Sequence, residues 1–128
     1  MGQQQLLLIV LGVIIVGIAV VVGINVFTAS SSQANRDGVI ADMTNLASLA
    51  MQHYRKPTAL AGGSNTFTGW TIPAALDTTG NGVYTVTVAA QTVTLVGTGN
   101  EKGNNGTSAV KATMIVGPNS ITSTAINN

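Results

Sequence analysis

Nineteen consecutive residues, 6–24, carry no polar side chain, and no charged side chain occurs before Arg36. At about 1.5 Å per residue, a helix over residues 6–27 spans the roughly 30 Å hydrocarbon core of a bilayer. The segment is rich in Ile and Val, which favour strands in water. It shows no period-two alternation, however, and in an apolar medium every backbone N–H and C=O must be satisfied within the segment, as a helix does. The chain is therefore expected to place a helix in a membrane, or in surroundings that solvate it as a membrane would.

Beyond this segment and its exit about 90 residues remain, enough for one small domain. The apolar content of 45% is concentrated at the N-terminal end, and charged residues make up only 7%. A net charge of +1 provides neither a basic stripe for a nucleic-acid backbone nor an acidic field. The chain has no Cys, which excludes disulfides, thiolate metal sites and a Cys nucleophile. Fifteen glycines, with abundant Thr, Asn and Ser, give the downstream part a surface that hydrogen-bonds water without charge.

A cleaved secretory signal would need a basic start and a shorter apolar core. Here the start is Met1-Gly2-Gln3-Gln4-Gln5 and the apolar run is too long, so the segment is expected to be retained. N-myristoylation is also disfavoured, because Leu6 stands where that motif takes Ser or Thr. Gly12, Gly17 and Gly23 interrupt the run. In water each would weaken a helix by roughly 1 kcal/mol relative to Ala, whereas in an apolar bundle small residues let neighbouring helices approach. Their spacing is not that of the GxxxG dimer motif.

After Ser30-Ser31-Ser32 the pattern changes. Residues 33–55 read as an amphipathic helix, with Ile40, Met43, Ala47, Ala50, Met51 and Tyr54 on one face and Arg36, Asp42, Asn45 and Gln52 opposite. Pro57 ends it by pushing Lys56 out of the helical region. No Pro precedes residue 57, so both segments can form one helix on the order of 80 Å long. A loop over 61–65, an extended piece over 66–72 and a turn over 77–82 follow. Strands are expected at 83–89, 92–96, 109–116 and 121–126, with a flexible Gly-rich loop at 97–107. The fold class is α+β: a long N-terminal helix, apolar in its first half and amphipathic in its second, packed on a small antiparallel sheet. The organisation is an apolar helix at 1–27, its amphipathic continuation at 28–56 and a sheet domain at 57–128, giving a lollipop.

Chemistry-bearing residues are few: Asp37, Asp42, Asp77, Glu101, His53 and five Lys or Arg. A catalytic or metal site needs several of these in one pocket, and the spacing provides no such grouping. The chain is accordingly read as having no enzymatic activity, cofactor or metal. His53 near a helix C-terminus fits the helix dipole. The run from Asp77 to Gly82 reads as a turn rather than a calcium loop, since the ligand spacing and final Glu of an EF-hand are missing. Asn105-Gly106-Thr107 is the only N-glycosylation sequon, making Asn105 a candidate for an N-glycan. Ser30, Ser31 and Ser32 are candidates for O-glycans.

A short polar start, an unbroken apolar helix, an amphipathic continuation and a small sheet resemble type IV pilins and related pilin-like subunits. The likeness in detail covers residues 1–27; from residue 33 onward it is architectural. In that family a prepilin peptidase removes a short basic leader and the new first residue is N-methylated, a position Met1 matches if the numbering is that of the mature chain. The family usually has Glu at the fifth position, where its carboxylate is thought to pair with a neighbouring amine; here Gln5 stands there, behind Gln3 and Gln4. An amide can accept from an amine but cannot neutralise it. Pro near position 22 is replaced by Val22 beside Gly23, and the disulfide-closed loop is absent.

The resemblance implies a structural subunit that self-assembles into an extracellular filament (a fimbrium) through Met1, Gln3, Gln4, Gln5, Gly12, Gly17 and Gly23. It would wait in the inner or cytoplasmic membrane, be extracted by pilus assembly machinery, and end on the cell surface. The alternatives are a bitopic membrane-anchored exported binding domain and a pseudopilin of a secretion system. An electron-conducting filament is poorly supported, as only Phe27 and Tyr54 among the aromatics fall on the helix.

Overall fold

The computed structural model describes residues 2–128. One helix, α1 (Gly2–Arg55), is followed by a 3-10 turn (Thr58–Leu60) and four strands, β1 (Gly82–Val88), β2 (Val93–Lys102), β3 (Ala109–Val116) and β4 (Ile121–Ile126). The strands form one antiparallel meander in the order β1-β2-β3-β4. The fold is thus α+β, a long N-terminal helix with a small open sheet, as the sequence indicates. The chain divides into two compact units, residues 1–31 and 32–128.

The first unit is a bare stretch of α1. Its large apolar side chains are all exposed, from Leu6 at 63% to Phe27 at 72%. By length and composition this stretch is long and apolar enough for a membrane crossing. Thr28 donates its hydroxyl to the Ile24 carbonyl at 2.9 Å, which satisfies a polar group inside the helix itself.

In the second unit α1 buries Arg36, Val39, Met43, Leu46, Ala47 and Ala50, a stripe at three- and four-residue intervals. It packs on Tyr84, Val93, Leu95, Ala112, Met114 and Val116, the residues that strand alternation turns toward the helix. The buried stripe is rotated slightly from the expected one, with Ile40, Met51 and Tyr54 half-buried at its flanks. Arg36, expected on the polar face, is inside at 8% exposure. Gly97 is the physical reason the helix sits so close. A Cβ there would come within 2.7 Å of Val39 Cγ1 and 2.8 Å of Met43 Sδ. The 97–107 stretch is therefore not all loop. β2 continues through Gly97 and Gly99 to Lys102, with its register shifting between Thr98 and Lys102.

No strand forms over 66–72. Instead the Phe67 N–H donates to the Ala90 carbonyl (3.0 Å), and Phe67 and Trp70 drop into the core. The Phe67 ring meets Tyr54 with centroids 4.9 Å apart. As Pro57 dictates, α1 stops at Arg55, and the following loop folds back to satisfy its last carbonyls. Gly63 N–H donates to His53 O (2.7 Å), Asn65 N–H to Tyr54 O (2.7 Å) and Ser64 N–H to Lys56 O (2.8 Å). The tight reversal puts Ala61, Ser64 and Asn65 in the left-handed region, with φ of 62°, 51° and 67°.

Candidate functional site

The largest chemically distinctive surface is the bare helix of the first unit. Gln3, Gln4 and Gln5 are exposed, and their amides make no hydrogen bond to other described residues. Three consecutive positions spread over most of the circumference, so their donors and acceptors point in several directions at once. Met1, also expected to take part in assembly and methylation, lies outside the described residues. At Gly12, Gly17 and Gly23 an added Cβ would meet nothing within 4 Å. Gly12 and Gly23 are separated by about three helical turns and face nearly the same way, whereas Gly17 faces elsewhere. Shallow grooves lie between Gln3, Leu6, Leu7 and Val10, and between Gln4, Leu7, Leu8 and Leu11. Such spaces between three- and four-residue ridges are what a ridge of a second helix fills.

The candidate modification residues have distinct settings. Ser30 is exposed and Ser31 half-buried. The Ser32 hydroxyl donates to the Lys102 carbonyl at 2.6 Å, a bond a sugar on that oxygen would remove. Asn105 is exposed on the turn between β2 and β3, and its Oδ1 accepts from the N–H groups of Thr107 and Ser108, both at 2.9 Å. A further donor to it is the Asn128 amide at 3.3 Å.

Two charged residues of the second unit, Asp42 and Arg36, hold segments of the fold together. Asp42 Oδ2 accepts three hydrogen bonds: from Tyr84 (2.6 Å), the Thr79 hydroxyl (2.7 Å) and the Asn81 amide (3.0 Å). Burial by itself would raise the Asp42 pKa, but the three donors, led by Tyr84, outweigh it and hold the carboxyl below its ordinary 3.8. Tyr84 is pushed up to about 12, first by burial and then by its bond to this carboxylate. The turn beginning at Asp77 is closed by Thr79 N–H to Gly82 O (2.9 Å) and a Thr78–Val83 bridge, so it is a turn clasped to α1 through Asp42. Among the described residues no three His, Cys, Asp or Glu side chains converge.

Arg36 donates to Gln33 Oε1 (2.9 Å) and Asn104 Oδ1 (2.7 Å), while its buried Nε has no partner among the described residues. His53, on the last turn of α1, has Nε2 3.4 Å from the Thr68 carbonyl. The Asp42 clasp and the buried Arg36 are what pattern reading missed. Both residues stand on the polar side of a helical wheel; the partners of Asp42, and Asn104 for Arg36, come from segments 37 or more residues away. The only available signal was Tyr84, whose phenol falls on the inward side of an alternating strand. Comparison of the chain with family models, curated proteins and solved structures finds no match.

Proposed function

We propose that this chain is a structural subunit that polymerises into a type IV pilus-like extracellular filament, with the apolar part of α1 as the filament core. The observation that carries this reading is the exposure of every large apolar side chain between Leu6 and Phe27, with none turned toward a partner in its own chain. Leaving that surface in water would cost roughly 1.5–3 kcal/mol per large side chain, so lipid or other helices must cover it. A helix lying on a membrane surface needs only one apolar face. Apolarity all round suits a helix that exchanges lipid for a ring of like helices. The amides of Gln3, Gln4 and Gln5 then serve as a neutral hydrogen-bonded register at the core, in place of a carboxylate–amine pair.

In this reading the subunit rests in the cytoplasmic membrane until an assembly machine draws it out, and its catalytic contribution is nil. The test is electron microscopy of material sheared from cells, with mass spectrometry of its main protein band. Helical filaments built of this chain, carrying an N-methylated first residue, are expected. A chain confined to the membrane fraction, with no filaments under any growth condition, would replace this reading with that of an anchored exported domain.

A further inference from the structure

The dipeptide Asn-Gly occurs twice in the chain, at Asn81-Gly82 and Asn105-Gly106, and the fold treats the two copies differently. Glycine after asparagine leaves the next backbone nitrogen without a Cβ to shield it, so that nitrogen can reach the asparagine side-chain carbon. The first copy is tied down. Asn81 Nδ2 donates to Asp42 Oδ2 (3.0 Å), the Asn81 carbonyl accepts from Asn35 (2.8 Å), and the Asn81 N–H donates to the Thr79 hydroxyl (3.2 Å). Gly82 is buried as the first residue of β1, where a Cβ would overlap the Thr98 carbonyl.

At the second copy Asn105 and Gly106 are both exposed, on the turn between β2 and β3. Gly106 has a φ of 69°, and a Cβ there would meet nothing within 4 Å, so its surroundings are open. Asn105 Oδ1 accepts from the N–H groups of Thr107 and Ser108, both at 2.9 Å, and from the Asn128 amide at 3.3 Å. The two backbone donors fix which side-chain atom is the oxygen. They fold the side chain back along the Gly106 peptide as an Asx turn. They also stand where negative charge develops on Oδ1 when a nucleophile adds to Cγ, as in an oxyanion hole. Asn105 Nδ2, by contrast, makes no hydrogen bond among the described residues. The brake is the Gly106 N–H, which donates to the Gly103 carbonyl at 3.0 Å. That bond belongs to an exposed turn tip, where local opening costs little.

We propose that Asn105 is a self-modifying site, converting to aspartate and isoaspartate through a cyclic imide, while Asn81 is held back. Water or hydroxide takes the Gly106 amide proton, and the nitrogen adds to Asn105 Cγ, placing negative charge on Oδ1 against its donors. The intermediate collapses by breaking the Cγ–Nδ2 bond, and Nδ2 leaves as ammonia with a proton returned from water. A water molecule then opens the ring. Breaking the ring bond at Cγ gives aspartate, and breaking it at the backbone carbonyl gives isoaspartate. The net change is amide plus water to carboxylic acid plus ammonia, with nothing oxidised or reduced. Nδ2 is also the atom an N-glycan would occupy, so the two modifications exclude each other at this residue. The aspartate product keeps both backbone N–H bonds and strengthens them with its charge. Isoaspartate instead inserts a carbon into the backbone of the turn.

The full, unglycosylated chain is held in detergent micelles at mildly alkaline pH, and a second sample is held unfolded in guanidinium. Peptide mapping by mass spectrometry follows both sites, with isoaspartate and aspartate distinguished by fragmentation. In the folded chain Asn105 should convert at least about tenfold faster than Asn81, since the charge-assisted Asn81–Asp42 bond alone is worth about that factor. In the unfolded chain the two should convert within about threefold of each other, because the contacts that separate them are gone. Thr107→Pro deletes one of the two backbone donors and should slow Asn105 about threefold or more. Asn81 in the same variant keeps its folded rate as long as the fold is kept; should it rise to its unfolded rate, Ser108→Pro, which removes the other donor, takes its place. Equal folded rates at the two sites, or no slowing in the donor-deleted variant, overturns the proposal. So does aspartate without isoaspartate, the mark of direct hydrolysis without a ring. None of these outcomes depends on whether the chain forms filaments.

Discussion

At the scale of single residues, Asp42 and Tyr84 set the pH limits of the sheet-bearing unit. The Asp42 carboxyl is held below 3.8 by its three donors, so its contribution is complete above that pH and is lost as the pH falls through the lowered value. Tyr84 works in the opposite direction. Its folded pKa of about 12 exceeds the ordinary 10.0, so its contribution is complete below 10.0 and is lost as the pH rises toward 12. Thermal unfolding followed across pH should show this pair's stabilisation as a plateau between these limits. Asp42→Asn should lower stability at neutral pH by about 1–2 kcal/mol, partial solvent screening keeping it at the lower end for charge-assisted bonds, and should flatten the acid limb. Tyr84→Phe should do the same to the alkaline limb, and the double variant should show non-additivity, because the two groups share one bond. Arg36 makes a contrasting case. It is a buried guanidinium held by two neutral amide oxygens, with neither a carboxylate nor a partner for its Nε among the described residues. Removing such a charge in favour of an apolar chain of like length relieves desolvation. Arg36→Met should therefore raise the melting temperature, by the equivalent of about 1 kcal/mol, whereas Arg36→Glu should lower it.

At the scale of elements, the decisive contact is between α1 and β2. Gly97 is fully buried where Val39 and Met43 cross the sheet. Adding a methyl group there forces the helix outward or two side chains off their rotamers, at about 1–3 kcal/mol. Gly97→Ala should lower the unfolding free energy measured by denaturant titration by that amount, and Val39→Ala in the same chain should restore part of it; full additivity would disprove the contact. This contact also explains what could and could not be read from the chain. The helix from residue 2 to 55 was legible because it has no Pro, one unbroken apolar run and then a three- and four-residue stripe. β1, β3 and β4 were legible from their alternation of Val, Ile and Thr with short turns. The second half of β2 was not, because glycine next to Asn and Thr is also the signature of a loop. Only a neighbouring helix makes those glycines strand residues. Phe67 and Trp70 likewise read as extended positions in the sequence, whereas their burial depends on a loop that returns to cap the helix end.

At the scale of the whole molecule, the question is what covers the apolar part of α1. Lipid and neighbouring helices are equally apolar, so insertion alone does not distinguish an anchor from a filament subunit. The glycines do. In lipid, Gly12, Gly17 and Gly23 are merely less favourable than a larger apolar residue, and replacing one with Leu should strengthen membrane insertion by about 0.5 kcal/mol. In a helix bundle the same replacement fills the space through which a neighbouring backbone approaches, and overpacking costs about 1–3 kcal/mol for each copy. Because every subunit carries the substitution, that cost recurs at each contact along a filament. Gly12→Leu, Gly17→Leu and Gly23→Leu are therefore expected to leave the chain in the membrane fraction at normal or raised levels while filaments are reduced or lost. The measurement is the ratio of sheared to membrane-bound protein for each variant, with Val16→Leu as a control that adds bulk where the chain is already branched. Unchanged filaments in all three variants would mean the glycines do not face neighbouring helices. Retention of the chain without filaments, confined to one glycine, would identify the face on which the subunits meet.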